Sequence, residues 1–366
     1  MSGHADQRID PYLGTVVHVV GARQARPNLP STGCPFCVGG LEAPDPYEVH
    51  WFPNRWPAMQ GNRCEVVLYT PHHDATLPSL GVPGVRKVID LWADRTTALG
   101  RRDDVDFVLV FENRGPQVGA TIAHPHGQIY AYDHVPQRPA SLLNAGWKPE
   151  ADCGERFVTS SPSTTPESAR WTACVPEAST FPIALTLAPL EQVPDLPSLD
   201  DEGREALAAM LVDILDRLDR LYGQPLPYMM WLNQRPTDGQ EWPQSWFNIE
   251  IVSPWRSAGV ARFIAAAEVA GGEFFNPVIP EDLARRLRAL APTPHLQGDR
   301  SRDPQRDRPD HVLPTDPPSR SRPADAPHPD PRPLPDPVPV DPARSLRLHP
   351  DGDTNPAAGS PPQPDR

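Results

Sequence analysis

A chain of 366 residues with a formal charge of −13 and 51 prolines is long enough for one large domain or two modest ones. No clustered basic stripe with interleaved aromatics runs along it, which argues against a nucleic-acid partner; small anionic substrates need only a few local donors and are not excluded. No apolar run approaches the length of a membrane span, so no membrane is expected, and the start MSGHADQRIDPYL lacks the basic and apolar regions of a signal peptide. Five cysteines, two of them in a C-x-x-C, fit a reducing cytoplasmic setting and a metal site better than a disulfide framework.

Along the chain, Thr15 to Val20 reads as a strand followed by a basic turn, and RCEVVLYTP as a second strand ending at Pro71. GVRKVIDLWADRTTALG places apolar residues at Val85, Val88, Ile89, Leu91 and Trp92, which predicts a helix. Phe107 to Phe111 predicts a buried strand entering a loop with glycines at Gly115 and Gly119, and HGQIYAY a further strand. The second half repeats the mixture: FPIALTLAP as a strand, DEGREALAAMLVDILDRLDRLYG as a long helix, MMWLNQ and WFNIEIVS as strands, PEDLARRLRAL as a final helix. The irregular alternation predicts an α+β fold with largely antiparallel sheets and packed helices. Two halves alike in element order are expected, 1–150 and 151–291. Residues 292–366, with about twenty prolines and scarcely any apolar cluster, read as a disordered proline-rich tail.

CPFC, Cys34 to Cys37, puts two thiolates on a tight turn, a common half of a tetrahedral zinc site. A redox C-x-x-C would open a helix, whereas VGGLEAPDP after it is turn-like. Ligands to complete the set are offered by His72 and His73 in TPHHDATLP and by His124 and His126 in HPHGQ. In an extended strand residues i and i+2 share a face, so His124 and His126 would look into one site, as two ligands or as one ligand beside a catalytic group.

The ordered run of C-x-x-C, PHHDATL, FENRGPQVGAT and HPHGQIYA resembles galactose-1-phosphate uridylyltransferase, a branch of the histidine-triad superfamily, over about residues 10–291. The resemblance implies two related, histidine-triad-like α+β halves, a homodimer, and exchange of a uridylyl group between UDP-glucose and a hexose 1-phosphate, galactose 1-phosphate foremost. It implies one zinc on Cys34, Cys37, His73 and His124, the P-x-H spacing selecting His73 over His72, with His126 as nucleophile. Two thiolates and two imidazoles leave no open position, so the metal is expected to be structural. An imidazole attacking the α-phosphorus expels a hexose 1-phosphate that leaves without a proton, and Gln128 then suits hydrogen bonding to phosphoryl oxygens where a third histidine would favour hydrolysis. Gly119, Ala120 and Thr121 are expected to offer phosphate-binding N–H groups. Asn54 and Asn113 resemble the family's nucleotide contacts, and Arg23 and Arg26 its N-terminal arginines, suited to a diphosphate.

Some members hold a second metal through a glutamate and three histidines, but no histidine lies between His134 and His295, and Asn233, Trp246 and Asn248 occupy the places of such ligands. In the hexose-reading segment Glu268 is kept, while Arg262 replaces a lysine, Ala267 a tyrosine and Phe274 a glutamine. Two other readings follow: an adenylyl-transferring relative (an ADP-sugar or dinucleoside polyphosphate phosphorylase), and a nucleotide-sugar-binding protein that has lost catalysis.

Overall fold

Residues 6–21, 23, 33–161 and 170–290 are described by a computed structural model; Arg26 and the proline-rich tail lie outside them. In chain order the elements are β1 (Asp6–Ile9), β2 (Val16–Val19), β3 (His50–Pro53), β4 (Cys64–Leu68), α1 (Gly81–Gly100), β5 (Phe107–Arg114), β6 (His126–Tyr132) and α2 (Gln137–Asn144). They continue with β7 (Phe157–Ser160), β8 (Trp171–Cys174), β9 (Ile183–Pro189), α3 (Asp201–Leu221), β10 (Tyr228–Asn233), β11 (Asn248–Ser253), β12 (Trp255–Ser257), β13 (Val260–Ala261), α4 (Ala266–Gly271) and α5 (Pro280–Ala289).

Local chemistry accounts for the long helices. The Asp200 side chain accepts from Gly203 N–H at 2.6 Å and caps α3, Asp201 and Glu202 lie in its first turn, and Arg220 in its last, each charge opposing the helix dipole. Leu207, Leu211, Ile214, Leu215 and Leu218 then form one buried stripe. The elements that sequence reading passes over are the ones with weak signals: HWFP ends in proline, β7 and β8 have four residues each, and α2 carries Pro139 near its start.

Nine strands form one antiparallel sheet in the order β3-β4-β6-β5-β10-β11-β9-β8-β7. The first half enters it as β3-β4-β6-β5 and the second as β8-β9-β11-β10, the same pattern, with α1 and α3 each following the second strand of its set. The tandem likeness expected from element order is therefore present in the topology. The β5–β10 ladder, Tyr228 opposite Arg114 through Trp231 opposite Phe111, joins the two sets. Helices α1, α3 and α5 cover one face, where Trp92, Val108, Ile129, Leu185, Met230 and Ile251 are among the residues of the main core. Each such side chain, fully buried, contributes roughly 1.5–3 kcal/mol. A smaller cluster of Phe36, Ala43, Val66 and Leu68 lies on the opposite face of β4. No helix among the described residues is long and apolar enough to cross a membrane.

One expectation is corrected. Cys153 and Cys174 form a disulfide, leaving Cys34, Cys37 and Cys64 free. Counting cysteines misses it because the pairing of β7 with β8 is what brings the turn at Cys153 to the end of β8, with the two Cα atoms 6.5 Å apart.

Candidate active site

The face of the sheet away from α1, α3 and α5 carries the predicted His126 and Gln128. In β6 the alternation is regular: Gly127, Ile129 and Ala131 are buried, while His126, Gln128 and Tyr130 are partly open on the other side. Gln128 pairs with Val66 on one neighbour and Phe111 on the other, and Phe111 in turn lies opposite Trp231, so a partly aromatic floor extends from β4 to β10.

The strand begins at His126, and His124 sits in the turn just before it. The two histidines still meet one neighbourhood, because the Phe36 ring stands 6.1 Å from the His124 ring and 5.1 Å from that of His126. Their roles diverge through their second nitrogens. His124 is fully buried, and its Nε2 lies 2.8 Å from the Thr70 carbonyl. A carbonyl only accepts, so Nε2 carries the proton and the Nδ1 lone pair faces the thiols, 3.8 Å from Cys34 Sγ and 3.6 Å from Cys37 Sγ. Burial also holds the His124 pKa below the usual imidazole value, favouring the neutral ring.

Cys34, Cys37, His73 and His124 place their ligand atoms within 4.8 Å of one another. His73 Nδ1 is 3.6 Å from Cys37 Sγ. Burial, and then the neighbouring Cys34 thiol, push the Cys37 thiol up. Two crowded thiols and two imidazoles in partly buried surroundings are a donor set that a soft divalent cation neutralises. The Tyr47 hydroxyl braces the cluster, within 2.6 Å of the Phe36 carbonyl, 2.9 Å of the Thr70 carbonyl and 3.1 Å of His124 Nε2. Sequence reasoning missed Tyr47, since no local pattern ties it to residues 11 to 77 positions away.

His126 shows the opposite tautomer logic. Its Nδ1–H donates to the His124 carbonyl at 2.8 Å, which leaves Nε2 with the lone pair. Asn54 Nδ2 approaches Gln128 Oε1 at 3.4 Å, and the Asn54 side-chain oxygen accepts from Trp56 N–H at 2.9 Å. Asn113 is half-buried in β5, opposite Met229. Burial pushes the Cys64 thiol at the start of β4 up, and the charge of Arg23 acts against that rise.

Other predicted residues are engaged locally. In the glycine loop, Gly119 N–H bonds to the Pro116 carbonyl and Ala120 N–H to that of Gly115, both at 3.2 Å, with Gly119 at φ 86°; Thr121 is partly open. Two of the three expected phosphate donors are thus turned into their own loop. Arg262 and Glu268 form an ion pair with each other. The Arg262 guanidinium also reaches the Phe275 and Thr180 carbonyls at 3.0 and 2.9 Å, and Glu268 accepts from Ala265 and Phe275 N–H at 2.9 and 3.0 Å. Glu268 thereby organises the segment around α4. Where the second metal was expected to be missing, Asn233 Nδ2 donates to Asn248 at 2.7 Å and to Glu250 at 2.8 Å, and Arg138 pairs with Glu250 at 2.7 Å.

An antiparallel sheet with a His-x-Gln strand and a Cys2His2 cluster beside it defines a histidine-triad-like nucleotidyltransferase. The profile of the galactose-1-phosphate uridyl transferase N-terminal domain matches residues 55–136 and that of its C-terminal domain residues 130–299. Galactose-1-phosphate uridylyltransferase of Thermotoga maritima is 33% identical over 315 residues, 77% of this chain and 97% of that one. A solved structure described as uridylyltransferase superposes with a TM-score of 0.68 at 26% identity, covering 77% of this chain and 97% of the other. ADP-glucose phosphorylase of Arabidopsis thaliana is 25% identical over 304 residues, 73% of this chain and 84% of its own. The chain belongs to the galactose-1-phosphate uridylyltransferase family.

Proposed function

We propose that this enzyme exchanges UMP between UDP-glucose and galactose 1-phosphate through a covalent uridylyl-histidine at His126. The observation that carries the reading is the His126 Nδ1–H bond to the His124 carbonyl, which leaves the lone pair on Nε2 of a ring on the partly open side of β6. Nε2 attacks the α-phosphorus, the bond from phosphorus to the bridging oxygen breaks, and glucose 1-phosphate leaves with the electron pair. The imidazole acquires positive charge as the N–P bond forms, and the carbonyl dipole at Nδ1–H stabilises it. An oxygen of the galactose 1-phosphate phosphate then attacks the same phosphorus and returns His126 to its starting state. Neither step needs a general acid, because both leaving groups depart without a proton; Gln128 supplies an amide to the phosphoryl oxygens, and Asn54 orients that amide.

Cys34, Cys37, His73 and His124 would hold one zinc, which supplies structural cross-linking and no open coordination position. Arg23 and Arg26 on the diphosphate, Asn113 on the nucleotide, and Thr121 on a phosphoryl oxygen complete the site; Arg262 and Glu268 shape the hexose-reading segment. The working form is taken to be a cytoplasmic homodimer, which light scattering checks.

Incubation with radiolabelled UDP-glucose should leave acid-labile, base-stable label on His126. His126→Ala should lower turnover about 10⁴-fold or more, the covalent step having no other nucleophile. Because a phosphorylase of ADP-glucose is among the relatives, the same assay with ADP-glucose is the competing arm. Faster labelling from the ADP donor would replace the uridylyl reading.

A further inference from the structure

Beneath the strand that carries His126, on the helix side of the sheet, polar groups meet in the core. Glu112 of β5 is buried, and its Oε1 accepts from the Tyr228 hydroxyl at 2.8 Å. Its Oε2 and the Tyr69 hydroxyl are both buried without an aligned hydrogen-bond partner among the described residues. Phe111 lies opposite Gln128, so Glu112, the next residue of β5, comes up beside Gly127 on the helix side, where the Tyr69 hydroxyl also lies and favours the charged form of the carboxyl. The carboxyl leaves one of its own buried oxygens unpaired, a cost that packing alone does not explain.

Tyr69 is the link from that carboxyl to the nucleophile. Its N–H points to the Pro125 carbonyl at 3.4 Å, on one side of His126. On the other side its hydroxyl lies against Gly127, where an added Cβ would stand 2.2 Å from Tyr69 Oη and 3.2 Å from the Phe111 carbonyl. Glycine is required there by close approach. The Tyr69 ring packs edge-on against Trp92 of α1 at 5.7 Å, which stops it from retreating.

We propose that Glu112 is a positioning residue for His126: through the Tyr69 hydroxyl it supports the Gly127 backbone and so sets the height of the imidazole above the sheet for in-line attack. This rests on the reading of His126 as the nucleophile. Misplacement by about 1 Å costs on the order of 100-fold in rate, so a support of this kind is read in the chemical step and not in substrate affinity.

The test is single-turnover formation of labelled enzyme from saturating UDP-glucose, with KM, zinc content and melting temperature measured on the same preparations. Glu112→Leu removes the carboxyl that accepts from Tyr228 and acts on the Tyr69 hydroxyl, and Tyr69→Phe removes that hydroxyl; each should slow the covalent step by about 10- to 100-fold with KM within about threefold of wild type. Glu112→Gln keeps an acceptor for Tyr228 and a donor for Tyr69 and should restore most of the rate. The Glu112→Leu/Tyr69→Phe double variant should be no slower than the slower single one, because the two residues act as a unit. A wild-type rate in Tyr69→Phe, or in Glu112→Leu well below its melting temperature, would overturn the inference, as would effects that multiply in the double variant. If the wild-type enzyme takes no label at His126, the reading of the reaction fails and this inference with it; normal wild-type labelling with unaffected variants rejects the inference alone.

Discussion

His124 and His126 are the same residue type two positions apart, and two backbone carbonyls separate their chemistry: His124 holds its proton on Nε2 toward Thr70, His126 on Nδ1 toward His124 itself. Gln128 belongs to the same logic of withholding protons. Gln128→His introduces a titratable group beside the phosphorus, so transfer should fall and hydrolysis of UDP-glucose should rise; product analysis showing reduced transfer without hydrolysis would contradict this account of the glutamine. Glu112 offers a prediction for stability. Burial, opposed chiefly by the Tyr228 hydroxyl, pushes its carboxyl up to about 7 from the ordinary 4.5. A carboxyl with a raised folded pKa binds its proton more tightly in the native state, so its contribution is present below about pH 4.5 and is lost as the pH rises through about 7. Tyr69, Tyr228, Arg114 and Asp219 are the titratable or charged groups acting on it. Denaturant unfolding of the wild type and Glu112→Gln should therefore show the wild type losing on the order of 3 kcal/mol relative to the variant between pH 4.5 and 8, with little change above that window.

At the scale of elements, β6 is held from two sides. Its ladder bonds to β4 and β5 fix the register, and the His124 turn ties its start to the CPFC turn and to His73 after β4. Binding at closed zinc sites is about 10–16 kcal/mol in small zinc domains, comparable to a domain's whole stability. Elemental analysis should give one zinc per chain. Cys34→Ser and His73→Asn should lose metal, activity and thermal stability together, while His72→Asn, outside the ligand cluster, should keep all three. Loss of zinc from His72→Asn and its retention in His73→Asn would reassign the ligand.

At the scale of the whole molecule, the same strand pattern occurs twice in one sheet, yet the two copies have different chemistry on the open face. The first presents His126 and Gln128 on β6; the second presents Asn248 and Glu250 on β11, satisfied by Asn233 and Arg138. The edge of the second copy is closed by the Cys153–Cys174 disulfide, with a sequence separation of 21. For a loop of that length chain entropy gives about 3 kcal/mol, so Cys153→Ser should lower unfolding stability by about that amount, while labelling at His126, at the far side of the sheet, should persist. Equal stability of the oxidised protein and the variant would contradict it.

Motifs whose parts are close together in the chain are legible from residue order alone: CPFC as half of a Cys2His2 cluster, His-Pro-His-Gly-Gln as two histidines meeting one neighbourhood, the long amphipathic helices, and the repeated order of strands and helices. Their meaning rests on spacings of two or three residues and on helical period, which the chain carries locally. Tertiary structure alone decided that the Tyr69 hydroxyl lies against Gly127, that Tyr228 reaches Glu112 from 116 residues away, that Arg262 pairs with Glu268, and that Cys153 meets Cys174. Each of these depends on which strands become neighbours and in which register. A slip of one residue in β5 or β10 would move Glu112 or Tyr228 to the opposite face, and composition and spacing do not encode that choice.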